Sequence, residues 1–429
     1  MTAGDPGAGT ASRAAKAYVV GAGLAGLSAA TILAARGVHV TVIEAAGQAG
    51  GRCRSYFDSA LGGMIDNGNH LVLSGNRAVH DYLARVGAKD ALAGPPRAEF
   101  AFTDLRDGKT WMLRPNEGAL PWWAFSARRR VPDTAAGDYA AYAPLLWAGK
   151  AARIGDVVRD RGALWDRLMR PFLLAALNTG PEDASAALAG AVLRETLAKG
   201  GRHYRPRIAH PTLAAAFVDP ALQFLNKKGA PVRFGTRLRA ITTGKREAVA
   251  LDLPDATVPL APGDAVVLAV PPWAAADLIP GLTVPNDFRA IVNAHFRIAA
   301  PAGAPAMLGV IGGTAEWIFS FPDRISVTVS AADAIVDQDR EELAARIWAD
   351  VAKALGIASP LPAWQIVKEK RATFAATPAQ DARRPAAATC WRNLFLAGDW
   401  TGTGLPATIE GALRSGETAA ALALRHLSL

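Results

Sequence analysis

The sequence predicts an α/β fold in which a doubly wound, Rossmann-like domain is built from three separate stretches of chain, with an α+β domain inserted between them. Two observations predict this arrangement. A short apolar strand at Tyr18–Val20 runs into a glycine-rich turn and a helix, and a second strand, glycine loop and helix occupy Asn393–Leu424. Because both patterns are typical of one parallel sheet, the long stretches between them must leave that sheet and return to it.

The glycine-rich turn has G-x-G-x-x-G spacing between a strand and a helix predicted over Leu24–Arg36. The first glycine permits the tight turn, the second lets the backbone approach a pyrophosphate, and the third lets helix and strand pack closely. The N-terminal N–H groups of the helix then face the phosphates. A second strand, Val38–Ile43, completes a dinucleotide-binding unit. Its predicted cofactor contacts are Gly21, Gly23, Ala25 and Gly26.

Two features beyond the second strand narrow the choice of dinucleotide ligand. Glu44 follows the glycines by about 20 residues, where a carboxylate accepts hydrogen bonds from ribose hydroxyls. Gly50, Gly51 and Arg52 come next. A G-G-R segment in this place resembles the flavoprotein amine oxidase and phytoene (carotenoid) desaturase superfamily. The resemblance implies FAD as the cofactor, with Gly51 and Arg52 at its diphosphate.

Composition restricts the setting in which the protein works. The chain has 429 residues, of which 51% are hydrophobic and 20% charged, as in a globular protein. Cys53 and Cys390 have neither metal-ligand spacing nor a disulfide framework, which predicts a reducing, cytoplasmic setting and no metal site. The net charge of +9 favours anionic surfaces, and no nucleic-acid motif accompanies it.

The N-terminal residues require a separate interpretation. Residues 1–16 are rich in Gly, Ala, Ser and Thr, and this composition predicts a disordered tail. The apolar run that follows contains the dinucleotide fingerprint, so it is not interpreted as a cleaved signal peptide. The sequence contains no uninterrupted run of about 18 apolar residues, so no membrane-spanning helix is predicted.

The C-terminal pattern predicts a second contact with the cofactor. A buried strand over Asn393–Asp399 ends in Gly-Asp, and a helical pattern over Thr408–Leu424 follows the glycine loop. This resembles the flavoprotein motif in which the aspartate holds the ribityl chain and the helix N-terminus faces the flavin. The positive end of the helix dipole would stabilise negative charge on a reduced flavin. The resemblance implies cofactor contacts at Gly398, Asp399, Thr408, Ile409 and Ala412.

The middle of the chain supplies the third part of the domain. A strand, a turn and another strand are predicted over Gly229–Ile241, and a buried strand from Asp264 ends at two prolines. In the superfamily such segments return the chain to the FAD-binding domain, and the resemblance places Leu238 beside the adenine. The amine oxidase-like domain division is therefore 17–80, 211–284 and 386–429 for the FAD-binding domain, and 81–210 and 285–385 for the substrate domain.

The two inserts differ in their patterns. The first is expected to be mostly helical, because Ala, Leu and Arg alternate between prolines. The second is expected to contain strands at Ile291–Ile298, Glu316–Phe321 and Ile325–Ser330, and a helix near Arg340–Leu355. The substrate domain is thus predicted to mix helices and strands.

Three further segments indicate a particular branch of the superfamily. Asp66–Leu73 reads D-N-G-N-H-L-V-L, Asn293–Ile298 reads N-A-H-F-R-I, and Ser326–Asp333 reads S-V-T-V-S-A-A-D. These segments resemble hydroxysqualene dehydroxylases, also called squalene-associated FAD-dependent desaturases, of bacterial hopanoid pathways. The resemblance implies loss of an allylic hydroxyl as water and hydride transfer from reduced flavin to the resulting cation. It also implies NADPH or NADH as external reductant, although no separate motif for it is seen, and upstream prenyl synthases as partners.

The predicted catalytic residues are His70, Asn69 and Asn293. A histidine near the flavin changes its protonation state near neutral pH, so His70 is a candidate acid; hydrogen bonding to the backbone is the structural alternative. Asn69 would donate to the leaving hydroxyl or shape its loop, and Asn293 would lie near the flavin or simply pack in a strand. Asp66 is expected to fix a turn and Arg297 to lie at a domain interface.

An aromatic and basic segment predicts contact with a membrane. Trp122, Trp123 and Phe125 precede three consecutive arginines, Arg128–Arg130. Interfacial aromatic residues beside arginines suit the surface of an anionic bilayer, which is where a triterpene substrate would be found. We therefore expect peripheral association with the inner face of the cell membrane. Packing of the aromatic residues inside the substrate domain is the alternative.

Three alternative functions share this fold. An amine oxidase usually has an aromatic residue at the position of Thr408 and a lysine near Asn293, which this sequence lacks, so amines are not expected as substrates. A carotenoid desaturase or isomerase shares the fold, FAD and a polyprenoid substrate, so the glycine motifs do not exclude it. A non-catalytic prenyl-lipid carrier on this fold would have lost flavin binding, and the intact set of glycines and acids argues against that class.

Overall fold

A computed structural model of the chain describes residues 16–159 and 162–429. The predicted disordered tail, residues 1–16, lies outside the described residues except for Lys16. Lys16 begins the first strand, so this strand starts two residues before its predicted first residue, Tyr18. The strands are β1 (Lys16–Val20), β2 (His39–Ile43), β3 (Ser55–Asp58), β4 (Gly63–Asp66), β5 (Leu71–Leu73), β6 (Leu92–Ala93), β7 (Phe100–Asp104), β8 (Thr110–Leu113), β9 (Pro206–Ala209), β10 (Val232–Arg233), β11 (Ala240–Thr243), β12 (Ala248–Asp252), β13 (Thr257–Pro259), β14 (Ala265–Leu268), β15 (Phe288–Phe296), β16 (Met307–Ile311), β17 (Trp317–Ser320), β18 (Ile325–Val329), β19 (Trp364–Phe374) and β20 (Leu394–Leu396).

The helices are α1 (Leu24–Ala35), α2 (Arg77–Val86), α3 (Ile154–Val157), α4 (Arg170–Leu177), α5 (Ala186–Glu195), α6 (Asp219–Lys227), α7 (Pro272–Leu278), α8 (Arg340–Leu355), α9 (Pro378–Asp381) and α10 (Ile409–His426). Short 3-10 segments occupy Gly51–Cys53, Trp122–Phe125, Ala136–Trp147, Leu197–Lys199, Gly201–His203 and Ala332–Ala334, and π turns occupy Trp165–Met169 and Ala214–Val218. In the described part of the chain, no helix combines the length and the apolar character that crossing a bilayer requires.

A five-stranded parallel sheet collects its strands from distant parts of the sequence. Its order is β10-β2-β1-β14-β20. Val19, Val42 and Val267 lie side by side on neighbouring strands and are fully buried. Helices cover the sheet, so its strands read as continuous apolar runs and not as alternating ones. The predicted strands at both ends of the chain are confirmed, and they join one sheet.

Helices α1 and α10 pack against each other beside this sheet. Helix α1 is buried on nearly every side, which explains why its sequence lacks a polar face. At the crossing, a Cβ atom at Gly416 would overlap the carbonyl oxygen of Ala25. The Ser28 hydroxyl donates to the carbonyl of Leu413 at 3.1 Å. The C-terminal helix therefore holds the helix that follows the glycine-rich turn.

The predicted domain boundary at residue 80 falls inside helix α2. Tyr82 on this helix is fully buried, and its hydroxyl donates to the carbonyl of Phe217 at 2.7 Å. The Glu410 carboxylate of α10 accepts from the backbone N–H groups of Ala78 and Val79, at 3.1 and 3.0 Å. Since α2 shares the core of α1 and α10, this core extends to Ala88.

The first insert contains strands that the helical prediction missed. Strands β7 and β8 belong to a seven-stranded sheet of order β19-β15-β18-β17-β16-β7-β8, and β9 pairs with both β5 and β6. These strands have two to five residues each. Strand β7 pairs in parallel with β16, more than 200 residues later. A strand this short shows little hydrophobic periodicity, and the nearby sequence does not indicate that β7 pairs with β16.

The second insert follows the prediction more closely. Strands β15, β17 and β18 and helix α8 lie where they were expected, and α8 covers its predicted range. Strands β16 and β19 were missed. Strand β19 reads W-Q-I-V-K-E-K-R-A-T-F and is an edge strand of the sheet. Charged residues are common on edge strands, where they discourage pairing with other chains, so β19 resembles a loop in composition.

The seven-stranded sheet has one face on helix α8 and one face toward the parallel sheet. Ile318 and Val327 on the α8-facing side of the sheet form a buried apolar cluster with Ile347 of α8. On the opposite face, directly paired residues form a row across the sheet, and we call this the front row. It consists of Asn293, Thr328, Trp317, Gly309, Phe102 and Trp111.

Candidate active site

The glycine-rich turn has the geometry that its spacing predicts. Gly21 has φ +105°, in the region that favours glycine. A Cβ atom at Gly26 would overlap the Gly21 carbonyl oxygen, so only glycine lets α1 pack this close to the turn. By contrast, no protein atom lies within 4 Å of a Cβ built on Gly23. Open space therefore lies beside the N-terminus of α1.

This space suits the diphosphate of a dinucleotide. Gly23 is the N-cap of α1, with no side chain that caps the helix and no acidic residue in the first turn, where Ala25 and Gly26 lie. Gly51 approaches closely, because a Cβ atom on it would be 3.4 Å from the Gly23 Cα. Free N–H groups at a helix N-terminus bind anionic groups. The residues present thus fit the predicted diphosphate of FAD.

Glu44 and Leu238 lie on neighbouring segments at the end of β2. The Glu44 carboxylate accepts from the N–H groups of Ala22 at 2.6 Å and Ala46 at 2.8 Å, which fix its orientation. The N–H of Thr236 donates to the Glu44 carbonyl at 2.9 Å. Leu238, two residues further, is buried. Contacts of Glu44 with ribose and of Leu238 with adenine stay predictions.

Two predicted cofactor residues form an ion pair across the molecule. Arg52 Nη2 lies 2.8 and 2.7 Å from the two carboxylate oxygens of Asp399. Arg52 Nη1 donates to the carbonyl of Ala372 on β19 at 2.6 Å. The proximity of Asp399 raises the pKa of Arg52 against the opposing effect of burial. The G-G-R segment and the C-terminal Gly-Asp therefore meet at one place, as the cofactor assignment requires.

The loop after Gly398 and Asp399 is held by Arg384, which sequence reasoning missed. Its guanidinium donates to the carbonyls of Asp399 at 3.0 Å and Thr401 at 2.9 Å, and to Thr403 Oγ1 at 2.7 Å. Its side chain is almost completely buried. No local pattern marks this arginine, because its partners follow it by 15 to 19 residues in a loop.

Helix α10 begins directly after its N-cap residue, Thr408. Thr408 Oγ1 accepts from the N–H of Gly411 at 3.0 Å, which makes it an N-cap. Ile409 and Ala412 lie in the first turn of this helix. The geometry of a helix that starts at the glycine loop is confirmed. Contacts of Thr408, Ile409 and Ala412 with the flavin stay predictions.

The D-N-G-N-H segment lies on the polar end of the front row. A Cβ atom at Gly68 would be 2.8 Å from Asn293 Nδ2, so the segment packs directly on β15. Thr328 Oγ1 donates to Asn293 Oδ1 at 2.8 Å and accepts from Asn69 Nδ2 at 3.1 Å. Asn293 also donates to the carbonyl of Asn67 at 3.3 Å. The structure thus joins the predicted residues Asn69 and Asn293 through Thr328, which the prediction missed.

Asp66 fixes the start of this segment, as expected. Its Oδ1 accepts from Ser55 Oγ at 2.5 Å and from the N–H of Leu213 at 2.9 Å. Burial raises the pKa of Asp66, while Ser55 and the Leu213 N–H oppose this effect. Arg297 packs beside the β3–β4 turn, since a Cβ atom at Gly62 would lie 2.8 Å from its Nη1. Both side chains have structural roles here.

His70 is the last residue of this segment and is half-buried. Burial, and then the charge of Arg52, lowers the pKa of His70 to about 4. The imidazole is therefore neutral at pH 7. This low pKa argues against the expectation that His70 changes its protonation state near neutral pH, and its burial beside an arginine is not visible in the sequence. A neutral imidazole still forms hydrogen bonds but is a poor proton donor.

The rest of the front face is aromatic. The ring of Phe102 stacks on Trp111 at 5.4 Å and meets the edge of Trp317 at 5.7 Å. A Cβ atom at Gly309 would overlap the Phe102 ring, so this glycine makes room for it. Beside the row, Phe100 stacks on Tyr204 at 6.4 Å. The front face is thus polar at the Asn293 end and aromatic beyond Thr328.

The family profile described as flavin-containing amine oxidoreductase matches residues 24–424. A hydroxysqualene dehydroxylase from Rhodopseudomonas palustris is 56% identical over 408 residues, which cover 95% of this chain and 98% of that protein. One from Sinorhizobium fredii is 52% identical over 407 residues, with 95% and 98% coverage. The chain belongs to the hydroxysqualene dehydroxylase branch of this flavoprotein family.

Solved structures support the fold independently of sequence. Cyclohexylamine oxidase from Brevibacterium oxydans superposes with a TM-score of 0.72 at 14% identity, over 97% of this chain and all of that one. At this identity the likeness concerns the fold alone. It confirms the predicted amine oxidase-like α/β fold, with a Rossmann-like domain and an inserted α+β domain.

The family assignment confirms FAD as the cofactor and an oxidoreductase as the class of enzyme. The full-length relatives give no support to a desaturase or to a carrier. The structure also explains the sequence difference from amine oxidases. Thr408 caps a helix, and Asn293 lies beneath Gly68 at the place where a lysine was considered.

Proposed function

We propose that this protein is an FAD-dependent oxidoreductase that removes the allylic hydroxyl of hydroxysqualene to form squalene. The observation that carries this conclusion is the full-length likeness to hydroxysqualene dehydroxylases, at 56% and 52% identity. The front row agrees with it, because one end carries the amides of Asn69 and Asn293 and the rest is aromatic. A long hydrocarbon with a single hydroxyl has the same distribution of polarity.

Removal of a hydroxyl makes three demands on the chain. It needs a donor at the oxygen, an apolar surface that excludes water, and a fixed orientation of the reacting carbon. When bound in its reduced form, FAD supplies hydride for the carbon that loses its oxygen. The aromatic side chains of Phe102, Trp111 and Trp317 would hold the hydrocarbon and exclude water, and Asn69 would orient the hydroxyl.

An anaerobic single-turnover experiment tests this function. The flavin of the purified protein is reduced, hydroxysqualene is added in detergent, and the flavin absorbance is followed while the lipid is extracted. We expect reoxidation of the flavin with one equivalent of squalene. Squalene added in place of hydroxysqualene is the control and should leave the flavin reduced. A flavin that stays reduced with hydroxysqualene intact would contradict the proposal and favour a desaturase acting on another polyprenoid.

We also propose that the protein associates peripherally with the inner face of the cell membrane. Trp122 and Phe125 are 66% and 70% exposed, and their rings lie 6.1 Å apart. Arg128 and Arg129 are exposed nearby and form no ion pair with a described residue. Trp123 differs from the prediction, because it is buried and packs edge-on against Tyr139 at 5.0 Å.

The exposed aromatic segment is attached to the wall of the front face. Asn116 Nδ2 donates to the Leu120 carbonyl at 2.9 Å, and Asn116 Oδ1 accepts from the Trp123 N–H at 3.2 Å. The Asn116 carbonyl accepts from the N–H of Gly201 at 2.9 Å. Tyr204, three residues later, stacks on Phe100. Contacts through Asn116, Gly201 and Tyr204 therefore link the exposed aromatic segment to the front face.

Two further partners are proposed on the resemblance alone. NADPH or NADH would reduce the flavin, and the prenyl synthases of the same route would supply the substrate. Stopped-flow mixing of the oxidised protein with each nucleotide measures which one reduces the flavin. Reduction by neither nucleotide would point to a protein donor.

A further inference from the structure

The proposed function, on which this inference rests, needs a proton at the leaving oxygen, because hydroxide is a poor leaving group. Several carboxylates near the site are already engaged by donors. These are Glu44 with two N–H groups, Asp66 with Ser55 and Leu213, Asp399 with Arg52, and Glu410 with Ala78, Val79 and Arg414.

Glu369 on β19 differs from these carboxylates. It is half-buried, and its one described hydrogen bond is a long one, from Asn67 Nδ2 to Glu369 Oε2 at 3.4 Å. Asn67 precedes Gly68, which packs on Asn293. The Glu369 carboxyl therefore keeps free capacity for hydrogen bonds beside the polar end of the front row.

The register of the sheet places Glu369 on the front face. Glu369 is opposite Ile291, and Val367 is opposite Asn293. Because side chains alternate along a strand, Glu369 points to the same side as Asn293. The same strand provides the Ala372 carbonyl that accepts from Arg52, so Glu369 lies between the Arg52–Asp399 pair and the D-N-G-N-H segment.

The neighbouring charges on β19 have other partners. Lys370 pairs with Asp337 at 2.6 Å, and Lys368 donates to the carbonyl of Gln338. The Arg371 guanidinium lies over the Trp273 ring, 4.8 Å from its centroid. The run Lys-Glu-Lys-Arg is therefore not simply a solvated edge. Three of its members have structural contacts, and Glu369 is directed at the candidate active site.

We propose that Glu369 is the catalytic acid that protonates the leaving hydroxyl. The carboxyl O–H bond breaks as its proton bonds to the hydroxyl oxygen, and the C–O bond breaks with its electron pair on oxygen. Water leaves, and the carbon that lost its oxygen would accept the hydride that reduced FAD supplies when it is bound. The Glu369 carboxylate then takes a proton from solvent, which balances the reaction.

The decisive experiment compares two leaving groups in Glu369→Gln. Hydroxysqualene needs a proton to lose its oxygen, whereas the allylic acetate of the same alcohol loses acetate without one. We expect the turnover of hydroxysqualene to fall by about 100-fold or more, as on removal of a general acid. Turnover of the acetate should stay within about threefold, and the flavin content of the purified variant should equal that of the unsubstituted protein.

A second readout does not depend on hydride transfer. With the flavin oxidised, repeated ionisation of the substrate in H2 18O exchanges its hydroxyl oxygen, and mass spectrometry measures this exchange. We expect exchange in the unsubstituted protein and its loss in Glu369→Gln. Equal losses with both leaving groups, or loss of flavin in the variant, would overturn the proposal and give Glu369 a structural role beside Arg52.

Glu316 is the matched control. It is another half-buried glutamate, directly before strand β17 of the same sheet, and burial raises its pKa to about 7. Its Oε2 accepts from the Ser330 N–H at 2.7 Å. Glu316→Gln should change both leaving-group reactions by the same factor. Selective loss of the hydroxysqualene reaction in Glu316→Gln would transfer the acid role to Glu316. Failure of the unsubstituted protein with both substrates would reject the proposed function itself.

Discussion

Gly26 is the residue whose identity is most tightly restricted at the glycine-rich turn. A Cβ atom there would overlap the Gly21 carbonyl oxygen and approach Ala269. We predict that Gly26→Ala destabilises the protein by about 2 kcal/mol or more, as overpacking does, and displaces the N-terminus of α1. The purified variant should lose most of its flavin. The measurements are the ratio of flavin to protein absorbance and urea unfolding.

Gly149→Ala is the control for this prediction, because no protein atom lies within 4 Å of a Cβ atom at Gly149. It should retain flavin and stability. Full flavin content in Gly26→Ala would show that the turn adjusts, and would weaken the packing argument for the third glycine of the motif.

His295 illustrates how burial of one residue sets a pH dependence. It is fully buried, and its Nδ1 lies 2.6 Å from Ser326 Oγ. Burial, and then Arg324, lowers the pKa of His295 from 6.5 to about 4. A proton therefore binds more tightly to the unfolded chain than to the folded one. The stabilising effect is complete above pH 6.5 and is lost as the pH falls toward 4.

We predict that the free energy of unfolding falls between pH 6.5 and 4 by about 1.4 kcal/mol per pH unit for His295, with His70 adding in the same direction. Urea unfolding at several pH values measures this slope. His295→Gln should reduce the slope, whereas substitution of the exposed His39 should leave it unchanged. An unchanged slope in His295→Gln would show that this imidazole is accessible to protons in the folded state.

At the scale of secondary-structure elements, the start of α10 has a structural role and a predicted role in flavin binding. Thr408 caps this helix beside the glycine loop, and Asp339 caps α8 on the other side of the seven-stranded sheet. Both caps accept backbone N–H groups. The two helices therefore permit a comparison between loss of a cap alone and loss of a cap at the site.

We predict that Thr408→Ala and Asp339→Ala each destabilise the protein by about 1 kcal/mol, as loss of an N-cap does. Only Thr408→Ala should weaken flavin binding. Thermal unfolding and flavin titration of the apoprotein measure the two effects. If Asp339→Ala weakened flavin binding as much as Thr408→Ala, the effect would be one of general stability.

The elements also show what limits prediction from local sequence. Helix α8 has a cap, a periodic apolar face and a C-terminal glycine, and its predicted bounds are correct. Strand β7 has none of these signals and is defined by pairing with β16. Strand β19 combines apolar positions with a run of charges, since it is an edge strand that contributes Glu369 to the front face.

At the scale of the whole molecule, the exposed aromatic residues and the net charge of +9 predict binding to anionic vesicles. We expect co-sedimentation with vesicles of phosphatidylglycerol and phosphatidylcholine that weakens as salt is added. Replacing Trp122 and Phe125 by Ser should reduce the affinity roughly a hundredfold, because each aromatic side chain contributes about 1.5 kcal/mol or more when buried in lipid.

Phe57→Ser is the matched control, because Phe57 is 65% exposed and lies on β3, outside the aromatic segment. It should bind vesicles like the unsubstituted protein. Equal vesicle binding by the double variant would reject docking through Trp122 and Phe125, and would leave the exposed rings without a role at the membrane.

The sequence by itself determined the cofactor domain and the family. Gly21, Gly23 and Gly26 have roles set by local geometry, so their spacing is readable without the fold. The D-N-G-N-H segment and the G-G-R segment were likewise recognisable as continuous patterns. Motifs of this kind can be recognised in the sequence because their residues are close together along the chain.

Only the tertiary structure decided which side chains meet at the candidate active site. Asn69, Thr328 and Asn293 form one hydrogen-bonded group although up to 259 positions separate them, and Glu369 reaches the same face through sheet register. The pKa of His70 depends on burial and on Arg52, which no local pattern contains. The physical reason is common to all of them: pairing of distant strands fixes which side chains meet, and burial then sets their charge.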